Sequence, residues 1–74
     1  MKLHQIKANQ TQLSMDNGTE VFFSYNTPVA AFIPGKGYVR TEKKWSTTTS
    51  KHINQWLDGF DATPVPQSEL DALA

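Results

Sequence analysis

The spacing of apolar residues along the chain changes once, from a period of two to a period between three and four. Gln12-Leu13-Ser14-Met15 alternates polar and apolar as a half-buried strand does. Asp16-Asn17-Gly18 follows, and Asn-Gly is the strongest short signal for a hairpin because both residues tolerate positive φ. Thr19-Glu20-Val21-Phe22-Phe23-Ser24-Tyr25 is rich in β-branched and aromatic types. Val21, Phe23 and Tyr25 share one face of that strand, with Phe22 and Ser24 on the other. Large apolar groups on both faces predict a central strand or one covered on both sides. Pro28 lacks an amide hydrogen and is read as a break in the ladder. Val29-Ala30-Ala31-Phe32-Ile33 then reads as a third strand, Pro34-Gly35-Lys36-Gly37 as a turn, and Tyr38-Val39-Arg40-Thr41 as a fourth. A fifth strand near Leu3–Lys7 is only weakly patterned. The sheet is expected to be a mostly antiparallel meander.

The period then lengthens. Ile53, Trp56, Leu57 and Phe60 fall at i, i+3, i+4 and i+7, one apolar stripe of a helix. Ser46-Thr47-Thr48-Thr49-Ser50 supplies good N-caps and poor helix interior, and Asp58-Gly59 supplies the stop. The helix is read over about residues 48–58, its stripe, Phe60 included, facing the sheet. Residues 61–66, with two prolines, read as an extended linker, and Pro66-Gln67-Ser68-Glu69-Leu70 as the start of a short terminal helix. The expected fold is α+β: a small antiparallel meander of about four strands packed against one amphipathic helix. It occupies residues 1–60, with 61–74 as linker and short acidic tail.

Size makes that picture precarious. A chain of 74 residues makes one domain and buries only ~60 % of its unfolded surface. There are no cysteines, so disulfides and thiolate metal sites are excluded. The two histidines, His4 and His52, are far apart, so no metal site is read. Self-association, as a homodimer or higher homo-oligomer, is the remaining stabilising device. No apolar run resembles a signal peptide or a membrane span, so the reading is a cytoplasmic protein with no membrane partner.

The formal net charge is zero, but the charges are segregated. Residues 36–52 hold Lys36, Arg40, Lys43, Lys44 and Lys51 against Glu42 alone; residues 58–74 hold Asp58, Asp61, Glu69 and Asp71 and no basic residue. Such asymmetry reads either as a basic binding face beside an acidic tail or as ordinary solvated surface.

One constellation could carry chemistry. Thr47, Thr48, Thr49, Ser50, Lys51 and His52 open the helix, where the first four backbone N–H groups lack intrahelical partners and the dipole is positive. Arg40, Lys43 and Lys44 lie just upstream. The set suits a phosphate or a carboxylate, and simple N-capping is the plainer alternative. Gly35-Lys36-Gly37 is too short for a Walker A loop, so no nucleotide cofactor is implied. Trp45 either packs back on the first helical turn as a hydrophobic staple or stacks on a nucleobase. His52 has no acidic residue at a spacing that would orient it as a base, and Ser50 and Thr49 have no visible base partner, so no catalytic residue is assigned.

Phe23-Ser24-Tyr25-Asn26-Thr27-Pro28-Val29-Ala30, then Arg40-Thr41, then Ser46-x-Thr48-Thr49-Ser50-Lys51-His52-Ile53-Asn54-x-Trp56-Leu57 resembles a family of small proteins of unknown function found mainly in bacteriophages and phage-derived elements. The resemblance spans about residues 12–58, and Trp45–His52 is its most specific part. It implies a phage source, hence a host cytoplasm, and assigns no activity. The expected function is a non-enzymatic accessory module that binds a phosphate-bearing ligand, nucleic acid or nucleotide, through Arg40, Lys43, Lys44, Trp45, Thr48, Thr49, Ser50, Lys51 and His52. The alternative is a protein-interaction module that inhibits a host factor.

Overall fold

A computed structural model describes residues 2–73. The order is β1 (Lys2–Lys7), β2 (Gln10–Ser14), β3 (Glu20–Ser24), β4 (Thr27–Ile33), β5 (Gly37–Thr41), α1 (Thr47–Leu57), β6 (Thr63–Val65) and α2 (Gln67–Leu73). All six strands form one sheet in sequence order; the first five are antiparallel and β6 runs parallel to β5. The α+β class is as expected, but among the described residues the sheet is mixed and has six strands rather than about four, and there are two helices, the second being the short terminal one that residues 66–70 begin.

The added elements come from segments with little pattern. β1 has all six residues exposed, so nothing imposes an apolar alternation on it. β6 is three residues long and includes Pro64. Proline is tolerated there because β6 is an edge strand. α2 makes the expected linker and tail part of the core: Leu70 is fully buried and Val65 nearly so.

The strand period places consecutive β3 residues on opposite faces. Val21 packs with Ala31, Val39, Val65 and Leu70 beneath α2, while Phe22 packs with Val29, Ala30, Ile53 and Leu57 beneath α1. β3 is therefore covered on both sides, as its composition requires. Phe60 departs from the expected stripe. It lies beyond the helix and is 60 % exposed, because Asp58 turns the chain into the left-handed region, φ 49.

Two turns differ from their sequence signals. The Asp16–Gly18 loop closes with Met15 N–H donating to the Thr19 carbonyl and Gly18 N–H to the Met15 carbonyl. Of the Asn-Gly pair only Gly18 uses positive φ (92°), which fits a three-residue hairpin loop rather than the two-residue one. Pro28 does not end a strand. It pairs with Phe23 at a bulge in β4, a position that needs no amide hydrogen. The hairpin just before it puts Tyr25 at φ 58, and its N–H donates to the Asn9 carbonyl at 2.7 Å.

Candidate functional site

The start of α1 is fixed by hydroxyls. Ser46 is extended and forms the cap: its Oγ accepts from Thr49 N–H at 3.1 Å, and its carbonyl accepts from Ser50 N–H at 3.0 Å. Among the described residues no protein group accepts from the amides of Thr47 and Thr48. Thr49 is buried beneath the cap. Its Oγ1 accepts from Ser46 Oγ (3.2 Å) and lies 3.5 Å from Ser24 Oγ. Ser24, itself 1 % exposed, shares a hydrogen bond with His52 Nδ1 at 2.9 Å. A chain of side-chain oxygens thus ties the first turns of α1 to the end of β3.

The segment leading into the helix is held from the other side. Glu42 N–H donates to the Val65 carbonyl and extends the β5–β6 ladder by one bond. Lys43 N–H donates to Thr41 Oγ1 at 3.1 Å. The Trp45 indole N–H donates to Gln67 Oε1 at 3.1 Å, and the Gln67 amide donates in turn to the Pro28 carbonyl (2.7 Å) and to Asp71 (3.0 Å). The Lys43 ammonium stands 4.1 Å above the Trp45 ring, a cation–π geometry. Arg40 projects toward α1 and donates to Asn54 Oδ1 at 3.2 Å.

Between these supports lies an open cleft of about 330 Å³. Six of the nine residues expected to bind a ligand line it: Arg40, Lys43, Lys44, Trp45, Thr49 and Ser50. The other three do not. Thr48 and Lys51 are exposed on α1 outside the lining. His52 points toward the end of β3, where it meets Ser24 and lies 6.1 Å from the Tyr25 ring. Thr49 contributes as the capped floor of the helix start rather than as a free hydroxyl. Trp45 is neither of its two expected forms in full. The staple partner four residues into the helix would be Ser50, which is polar, and the indole instead anchors to α2. It remains 42 % exposed.

Sequence reasoning missed Glu42, Thr41, Ile53 and Pro64 in the lining. Glu42 sets one carboxylate among the cations. Pro64 arrives because β6 pairs with Arg40 across the parallel ladder, and no pattern short of recognising residues 63–65 as a strand could have found it. Among the described residues no group of three His, Cys, Asp or Glu side chains could hold a metal ion, and no helix is long and apolar enough to cross a membrane.

No curated protein and no solved structure matches the chain. A family match extends over residues 1–72, and therefore takes in β1, β6 and α2 as well as the 12–58 segment that carried the resemblance. On that match, the chain belongs to the Family of unknown function (DUF8033).

Proposed function

We propose that this protein is a non-enzymatic accessory module, of phage type, that binds a phosphate-bearing ligand (nucleic acid or nucleotide) in the cleft at the start of α1. The observation that supports the reading is the convergence of Arg40 from β5 with Lys43 and Lys44 from the loop around one opening beside the first turn of the helix. Three cations against Glu42, beside the positive end of the helix dipole, suit an oxyanion. Trp45 offers an exposed, anchored ring beside it, on which a base can stack. A catalytic reading has less support, because the hydroxyl nearest His52 belongs to Ser24, which is 1 % exposed and out of a substrate's reach.

The test is fluorescence anisotropy with a labelled oligonucleotide, single-stranded and duplex, and with a labelled nucleotide, at stepped salt. Log K should fall linearly with log salt, by about 0.7 per phosphate neutralised on a single strand and about 0.9 on a duplex. Lys43→Ala/Lys44→Ala should weaken binding and flatten the slope by roughly two phosphates' worth, while Lys51→Ala, outside the cleft, should leave both unchanged. Absence of binding to all three probes at low salt ends the proposal.

A second reading, a protein-interaction module directed at a host factor, has one observation in its favour. β1 is an edge strand with every residue exposed, Leu3 and Ile6 among them, and a partner strand could add to it. Lys2, Lys7 and the register shift between Gln5 and Lys7 are the features that guard such an edge, which is why the cleft is preferred.

A further inference from the structure

The two ends of α1 carry opposite chemistry. At its start stand Lys43, Lys44 and the exposed Trp45. At its end Phe60 stands 60 % exposed between Asp58 and Asp61. Phe60 is a held ring rather than a loose one. It stacks on Tyr38 with centroids 5.2 Å apart and planes at 17°, and its N–H donates to the Leu57 carbonyl at 3.0 Å. Tyr38 is held in turn by Phe32 (4.9 Å) and edge-on by Trp56 (5.9 Å). The result is an ordered apolar platform whose outer surface faces water.

On α1 itself nothing basic balances this end, and Arg40 reaches the helix at Asn54, one turn before Asp58. The end of a helix is the negative end of its dipole, where a basic residue is normally stabilising. The last turn of α1 has no basic residue, and the cap is Asp58. Helix α1 has 11 residues and so is about 16 Å long. That is about twice the physiological screening length of ~8 Å, so Lys43 and Lys44 cannot neutralise the far end of their own helix.

We propose that the Phe60 platform with Asp58 and Asp61 is a docking surface for a second copy of this chain, which presents Lys43, Lys44 and Trp45 to it. Everything the contact needs, cations and an exposed indole on one side, carboxylates and a stacked phenyl on the other, is present once on each copy. Zero net charge leaves no long-range repulsion to oppose it. Because the two surfaces differ, the contact is head-to-tail, and copies would join in an open row or close into a ring. A patch this small gives weak association, seen at high protein concentration and low salt.

The experiment is sedimentation of the whole chain without nucleic acid, over a concentration series at low and high salt. The average mass should rise above 8.3 kDa with concentration at low salt and return to it at high salt. Two blocked variants sharpen the result. Lys43→Ala/Lys44→Ala removes one surface, and Asp58→Asn/Asp61→Asn/Phe60→Ala the other; asparagine keeps the left-handed cap accessible. Each alone should stay monomeric, and an equimolar mixture should form one-to-one pairs, because each retains the surface the other lacks. Asp58→Asn/Asp61→Asn alone, with the ring kept, should shift the association to higher concentration. Unchanged melting temperatures establish that each variant is folded. A wild-type chain that remains monomeric at the highest soluble concentration in low salt overturns the proposal. So does association that persists in either blocked variant, or a mixture that stays monomeric.

Discussion

The two layers covering the sheet differ in kind. Beneath α2 the buried contacts are aliphatic: Val21, Ala31, Val39, Val65 and Leu70. Beneath α1 the apolar contacts of Phe22, Val29, Ala30, Ile53 and Leu57 are bordered by directed polar ones. Ser24 meets Thr49 and His52, and the Trp56 indole donates to Gln12 Oε1 at 3.0 Å. Aliphatic burial is strong but non-directional. Hydrogen bonds contribute less net free energy each but fix orientation. Both layers bury five apolar residues, and Gln67 gives the α2 layer polar contacts of its own; the hydrogen bonds of the α1 layer in addition set the rotation of a helix whose first turn must meet Arg40, Lys43 and Lys44.

The largest expected effect tests the aliphatic side. Leu70→Ala removes a fully buried side chain and should cost about 2–5 kcal/mol, a large share of the stability available to so small a domain. Urea unfolding should show a much lower midpoint. An unchanged midpoint would mean that α2 is an accessory to the fold rather than part of its core.

A smaller effect tests the polar side. Ser46→Ala removes the cap on Thr49 N–H and should cost about 1 kcal/mol, whereas Ser46→Gly should cost only a few tenths. The same Ala variant should weaken ligand binding at the cleft, because the turn that Ser46 caps carries Thr49 and Ser50, which line it. Equal losses for Ala and Gly would point to the Ser46–Thr49 hydroxyl contact, not the cap, as the source of the stability.

The contrast between the layers also explains what the sequence disclosed. The central strands and α1 were legible because each is constrained on a buried face: Val21 and Phe22 on β3, Ile53 and Leu57 on α1. β1 was faint because it buries nothing. An extended 61–66 and a helix starting near 66–70 were legible, but the places of β6 and α2 in the core were not, since they rest mainly on Val65 and Leu70, and two apolar residues set no period. The candidate site was legible where local sequence carries it, in the 40–50 stretch that lines the cleft. It was not legible where tertiary contact decides, as for His52, which meets Ser24 across 28 positions, and Trp45, anchored by Gln67 across 22.

The smallest stability effect is the most discriminating. Lys43 and Lys44 are exposed, and the Lys43 amide contact to Thr41 is made by backbone and survives truncation. Trp45 keeps its bond to Gln67 without the ammonium above it. Lys43→Ala/Lys44→Ala should therefore change unfolding free energy by no more than about 0.5 kcal/mol, even as it weakens binding to oligonucleotide and blocks head-to-tail association. A urea midpoint indistinguishable from wild type beside a clear loss of binding would assign the two lysines to recognition alone. A midpoint lowered as far as in Ser46→Ala would show instead that the basic loop holds the helix start in place, and the cleft would then be a by-product of folding rather than a site.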